Sequence, residues 1–205
     1  MGWLCGYEYS DGTTCELTPV LGDGQCIWHS EVEGKALPPD AREQLEARAR
    51  DGLSMEGFVL GDLDLCRVQL PNADLRGAML DGANLALANL HQANLERANL
   101  SNAFLFRADL SAARLNRAYL IGADCAEAEI FGASAEGMDA FDGDFRRANL
   151  TLANLVKADL SYAVLRGARI HGADLKGATL DRTNLRDVDL DHVSAEGLDL
   201  ERSIR

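Results

Sequence analysis

Between residues 58 and 202 the large apolar positions recur at every fifth residue, with no gap and no insertion. Of the 29 positions divisible by five from Leu60 to Leu200, 22 are Leu; the others are Cys125, Ile130, Ala135, Ala140, Phe145, Ile170 and Ala195. Ala stands two places earlier in 20 of the 29 cases, and Asp or Asn usually fills the place between, as in Ala73-Asp74-Leu75 and Ala93-Asn94-Leu95. An amphipathic helix needs a spacing of about 3.6 and a one-sided strand about 2.0. A spacing of five would carry the Leu residues right round a helix. The pattern predicts a coil that turns a corner every five residues, with the large apolar side chain on the axis and a small one beside it. A fixed short period also means one small unit stacked on copies of itself.

The A(D/N)Lxx motif resembles that of the pentapeptide-repeat family, and the resemblance runs through residues 58–205. It implies an all-β fold, a right-handed quadrilateral β-helix with twenty residues per turn. Residues 58–205 would then make about seven turns, a rod roughly 35 Å long at strand spacing. Each residue type has a physical task in such a coil. Leu stacks on Leu, each buried side chain contributing roughly 1.5–3 kcal/mol. Ala fits the inner corner, where a longer side chain would overpack. Asp and Asn accept hydrogen bonds from backbone N–H groups two residues on. Gly recurs two places after the centre, as at Gly77, Gly122 and Gly167, where a turn wants positive φ. Residues 133–145 exchange large and small: Ala135 and Ala140 take central places, Met138 an Ala place, and Phe145 a Leu place beside Gly143. A local kink or bulge is expected there. Ser-x-Glu-Gly at 54–57, 134–137 and 194–197 falls on one face, since the spacings are multiples of the turn; internal duplication is the simplest reading.

A stack of open turns needs capped ends. Residues 35–57 read as a linker and a capping helix: Pro38-Pro39-Asp40 leads into Ala41 through Arg50, and Gly52 marks the stop. Leu45 and Ala49 share the face expected to cover the first turn, near Met55 and Phe58. Beyond Leu200 no second capping helix is visible, so an uncovered last turn offers a pairing surface for a homodimer.

Residues 1–34 stand outside the repeat. Cys5, Cys15, Cys26 and His29 form a Cys₃His set, the donor pattern of a closed structural Zn²⁺ site. The segment is similar to the short cysteine-rich module, ending in Cys-x-Trp-His, that precedes some pentapeptide-repeat domains. A disulfide or free thiols is the competing reading, less suited to three cysteines and a nearby His. The same segment has six acids and no Lys or Arg. Phosphate contacts need cations, so direct nucleic-acid binding is not expected, and the module reads as a cap or a docking knob.

Charge refines the functional expectation. The chain carries a net charge of −13, of which residues 1–57 hold 11 acids and 4 bases. The face centred on Leu60, Leu80, Leu100 and their successors has 8 acids against 2 bases, while the neighbouring face holds Arg67, Arg107, Arg146, Arg147, Arg166 and Arg186. No nucleophile elbow, phosphate loop or acid–base constellation appears. His91, His171 and His192 read as surface residues. The expected function is a non-enzymatic scaffold that binds a protein. Family members that imitate DNA to bind DNA gyrase or topoisomerase IV supply the alternative, a type II topoisomerase partner. Those members often have Phe centres, an interrupting loop and a C-terminal dimer element, whereas this repeat is Leu-centred and unbroken and shows no such helix. With no signal peptide or membrane-spanning run, the cytoplasm is the expected compartment and no membrane partner is expected.

Overall fold

The computed structural model describes residues 5–17, 25–31, 37–196 and 202–203. Parallel bridges join residues twenty apart: Val59 to Met79, Met79 to Asn99, Asn99 to Tyr119, Tyr119 to Asp139, and on to Thr179. Three more ladders, starting at Asp64, Gln69 and Asp74, follow the same step. The chain is a β-helix whose four sides are each one short rung per turn. Each rung is held from both neighbours. Leu110 N–H donates to the Glu129 carbonyl at 2.7 Å, and Asp109 N–H donates to the Ala88 carbonyl at 2.9 Å.

The corners explain the polar half of the repeat. After each centre the chain turns, and the next Ala N–H closes back on the central carbonyl, as Ala113 does on Leu110 at 3.0 Å. The second corner residue has positive φ whether or not it is Gly: Asp62 56°, Arg67 63°, Leu87 59°, Arg107 54°. The left-handed conformation costs an L-residue roughly 1–2 kcal/mol. The flanking ladder hydrogen bonds hold it there, so Gly is not needed to mark a corner. The expected Asx contacts are present: Asn89 Oδ1 accepts from His91 N–H at 3.1 Å, and Asp109 Oδ1 from Ser111 N–H at 2.9 Å. Inside, every fifth side chain from Leu60 to Leu185 is at most 4% exposed.

The expected kink at 133–145 does not occur. Bridges Tyr119–Asp139, Asp124–Asp144 and Ser134–Asn154 keep the twenty-residue register straight through it. Met138 and Phe145 are buried at 1% and 0%, so the exchange conserves core volume without moving the backbone. Gly143 makes the exchange work: a Cβ there would lie 2.8 Å from Phe145 Cε2 and 3.1 Å from the Ala140 carbonyl oxygen. Gly143→Ala is therefore expected to lower unfolding stability by about 1–3 kcal/mol. The loss should shrink when Phe145→Leu is made with it. Denaturant titration of the four proteins checks both; an unchanged Gly143→Ala would refute this account of the packing.

Irregularity comes later. The rung that would join Arg169 to Asp189 is missing among the described residues, and Gly172 N–H reaches His192 rather than Asp191. Leu190 is only half-buried and Ala195, expected inside, is exposed. Their turn has no described turn packed beyond it, so its inner positions lose half their neighbours. The proposed pairing surface around Leu200 lies outside the described residues, as does Gly197 of the third Ser-x-Glu-Gly.

At the other end sits helix α1 (Ala41–Arg50), which buries Leu45 and Ala49. It stops at Gly52, whose φ is 66°. Gly52 N–H bonds to Ala49 O and Leu53 N–H to Arg48 O, the paired closure of a Schellman motif. The helix also satisfies the open edge of the first turn, because Glu46 Oε1 accepts from Gln69 N–H at 3.0 Å.

Candidate metal centre

A hairpin brings the first two cysteines together. Glu8 bridges Thr14 antiparallel, Cys15 N–H donates to Tyr7 O, and Cys5 N–H donates to Leu17 O. Asp11 Oδ1 accepts from Thr13 N–H and Oγ1 at the tip. A separate turn, closed by His29 N–H on Cys26 O, supplies the other two. All four predicted residues converge: their ligand atoms lie within 4.8 Å of one another, and all four are buried.

The geometry suits a tetrahedral ion. A centre with three thiolates and an imidazole spaces its donors about 3.3–3.8 Å apart. Cys15 Sγ and Cys26 Sγ are 3.9 Å apart, and His29 Nδ1 lies 3.5 Å from Cys5 Sγ and 3.3 Å from Cys26 Sγ. Nδ1 is the inward atom, because Nε2 sits 3.0 Å from the Glu56 carbonyl and donates to it. Such an outer contact fixes the tautomer of a metal-bound His. Cys26 N–H donates to Cys5 Sγ at 3.2 Å. Without an ion, burial pushes the Cys26 thiol up to about 12. Three thiols and an imidazole gathered this closely fit a metal that displaces the thiol protons.

The centre is keyed into the first turn of the rod. The Tyr7 ring stacks on His29 at 3.9 Å between centroids, and His29 meets Phe58 edge-on at 4.9 Å. Trp28 stacks on Phe58, and its carbonyl accepts from Val59 N–H at 2.6 Å. Glu56 receives both Ser10 N–H and Oγ–H at 2.9 Å. Arg76 ties Glu56 and Asp74 together, at 3.1 and 2.7 Å. Burial opposes ionisation of Asp74, but the Arg76 and Ser54 hydrogen bonds hold its carboxyl below its usual value. Gly57 lets Tyr7 approach, since a Cβ there would fall 2.0 Å from Tyr7 Oη.

That environment also accounts for the first Ser-x-Glu-Gly. Ser54 Oγ takes the Asx role by accepting from Glu56 N–H at 3.2 Å, and Glu56 serves the cap. In the later copies Glu136 and Glu196 pair with Lys157 and Lys176, and Ser134 and Ser194 lie on one ladder. The motif is turn and ion-pair chemistry repeated on one side.

Elsewhere the predicted chemistry is dispersed. Cys125 is fully buried and Cys66 half-buried. His171 and His192 are exposed and stand edge-on, 5.1 Å between ring centroids. A groove of about 580 Å³ runs from the cap along the rod, lined by Tyr7, Glu56, Arg76, Glu96, Arg117 and Glu136. Its charges alternate and pair, as Arg114 from beside the groove pairs with Glu96. Sequence reasoning missed Tyr7, Ser10, Glu56 and Arg76 as supports of the centre; Gly57, where any Cβ would collide with Tyr7, was the available signal.

Comparison with known proteins places these observations. The profile of pentapeptide repeats matches in 8 copies, over residues 60–95, 69–105, 108–140, 144–182 and 168–204. A comparison with curated proteins finds no match. Among solved structures, HetL of Nostoc sp. PCC 7120, a pentapeptide-repeat protein involved in regulating heterocyst differentiation, is 24% identical over 75% of this chain and 87% of its own, with a TM-score of 0.40. The pentapeptide-repeat protein alr5209 of Nostoc PCC 7120 is 31% identical over 47% of this chain and 78% of its own, with a TM-score of 0.41. A trypsin-treated variant of QnrB1, a plasmid-mediated fluoroquinolone-resistance protein, is 23% identical over 75% of this chain and 72% of its own, with a TM-score of 0.38. The repeat match, covering more than half of the sequence, and the unbroken twenty-residue ladder together make the chain a member of the pentapeptide-repeat family.

Proposed function

We propose that the chain is a non-enzymatic interaction scaffold: a right-handed rod of about seven turns that binds a protein along its sides. Its N-terminal end is locked by a structural Zn²⁺ held by Cys5, Cys15, Cys26 and His29. The observation that carries this reading is the filled interior. With every fifth side chain from Leu60 to Leu185 at most 4% exposed, only sides and tips are left to work. A solid column lacks the deep apolar pocket that small-molecule chemistry usually needs. Most of the described basic side chains pair with a carboxylate, as Arg107 does with Glu127 and Arg166 with Asp187, in the manner of a solvated surface. When bound, the ion supplies the positive charge that holds three thiolates and an imidazole in one tetrahedron. Five cysteines without a disulfide suit a reducing compartment such as the cytoplasm.

The test is capture. Immobilised full-length chain should retain a defined protein from extract of its native cell, and soluble chain should compete it off. Failure to retain any competable protein overturns the scaffold reading. A second reading, modulation of DNA gyrase or topoisomerase IV by DNA mimicry, is favoured by the carboxylates Asp62, Asp81, Asp139, Asp142, Asp159 and Asp181 along one side. Supercoiling by purified gyrase, with and without a fluoroquinolone, separates the two. Inhibition or drug protection at low micromolar protein favours the mimic, and no effect removes it.

A further inference from the structure

We infer that the sector centred on Phe141 is a docking surface for a cationic protein segment bearing an apolar anchor. This rests on the scaffold reading and names the surface and the chemistry of the partner. Ile121 and Phe141 are consecutive rungs of one outward column, and Tyr119 and Tyr162 flank them. All four are exposed, at 37%, 40%, 49% and 41%. The Phe141 and Tyr162 rings are 5.1 Å apart. The core does not require them. The same column carries Gly61, Asp81, Ser101, Ser161 and Asp181 on its other rungs, so a polar or small residue serves the turn equally well. Scattered apolar side chains on a surface are ordinary, whereas contiguous ones mark contact sites.

The charge around the patch chooses the occupant. Asp139, Asp142 and Asp159 border it, and among the described residues none of them is in an ion pair; Asp181, further along, pairs only distantly with Arg202 at 3.9 Å. The adjacent face differs, because Arg107, Arg146, Arg147 and Arg166 each meet a carboxylate there. Unneutralised carboxylates around an apolar centre repel nucleic acid, an anionic membrane and a second copy of the same patch. They attract Lys and Arg. The rings add to this: Arg182 lies over Tyr162 at 5.4 Å, so a cation already rests on one aromatic face of the sector. A basic segment that inserts an apolar side chain beside Phe141 would satisfy both halves.

The experiment uses the full chain and a labelled peptide of alternating Lys and Phe, with an all-Lys peptide of equal charge as reference. The Lys–Phe peptide should bind, and the all-Lys peptide should bind at least about tenfold more weakly. Phe141→Ser/Tyr162→Ser should weaken the first peptide by about tenfold or more, with thermal unfolding unchanged. Asp139→Asn/Asp142→Asn/Asp159→Asn should weaken it similarly and flatten its dependence on salt, between about 0.05 and 0.5 M. Asn keeps the turn hydrogen bonds, as it does at Asn89 and Asn94. Leu87→Ser/Phe106→Ser, on the neighbouring face, should change nothing. Equal binding by the Phe141/Tyr162 variant, or equal binding of the all-Lys peptide, overturns the proposal. So does self-association or binding to anionic vesicles that this variant abolishes. The two readings fail separately: a protein captured by the wild type and equally by the Phe141/Tyr162 variant sinks the docking sector and leaves the scaffold standing.

Discussion

Leu110→Asp is expected to abolish the cooperative thermal transition of the middle of the rod, with a loss of more than about 5 kcal/mol. Leu110 has no exposed surface, and it sits in the axial column between Leu90 and Ile130. Losing its burial alone removes roughly 1.5–3 kcal/mol. A carboxylate in that column then has no donor to meet it: the nearby N–H groups are committed, Leu110 N–H to Glu129 O and Ala113 N–H to Leu110 O. In a stack whose turns touch only their neighbours, one broken layer uncouples the parts on either side. Leu110→Ala should sit between, at a loss of about 2–5 kcal/mol from the cavity. Arg107→Ala should cost no more than about 1 kcal/mol, because its contact with Glu127 is an exposed ion pair. Circular dichroism against temperature distinguishes the three. A folded Leu110→Asp chain with the wild-type midpoint would mean that the fifth positions do not form the core.

The inward positions were legible because one period fixes them: no other backbone puts Leu90, Leu110 and Leu150 on one axis. The Asx residues were legible for the same reason, since a side chain that caps a turn must recur with the turn. What the sequence hid is of two kinds. At 133–145 the letters change while the volume does not, and a pattern reading cannot see that the Phe145 ring occupies the space Gly143 leaves. At the corners, Arg67, Leu87 and Lys157 adopt positive φ that their side chains disfavour, imposed by ladder bonds between turns. The candidate metal centre divides similarly. The convergence of its four side chains was legible from donor type, but Arg76 and Glu56 join them only across the fold, where Arg76 Nη1 donates to Ser10 Oγ at 2.6 Å. At the far end Leu190 and Ala195 fit the repeat yet lose their burial, because a rung needs neighbours on both sides and the sequence records only its own letters.

Purified chain is expected to hold about one Zn²⁺ per molecule, and Cys26→Ser to hold none. Cys26 is the residue to change because its Sγ stands 3.9 Å from Cys15 Sγ and 3.3 Å from His29 Nδ1, joining the two halves of the set. Removing the ion leaves three buried thiols and an imidazole with nothing to draw them together, and structural zinc contributes about 10–16 kcal/mol to small domains that depend on it. The loss should stay local. Trp28 O would release Val59 N–H, and the Trp28–Phe58 stack would open the first turn to water. Hydrogen exchange at Val59 should accelerate by orders of magnitude, while the amides of Leu110 and Leu150 keep their protection, since turns several layers away do not touch the cap. Acid should act in the same direction as chelation: the ligands bind deprotonated, so affinity falls as pH falls. Cys66→Ser, at a half-buried site on the first turns, should leave metal content and exchange unchanged. Elemental analysis with residue-resolved exchange decides the matter. Metal-free chain with full protection at Val59 would show that the four side chains merely pack together and that the cap stands without an ion.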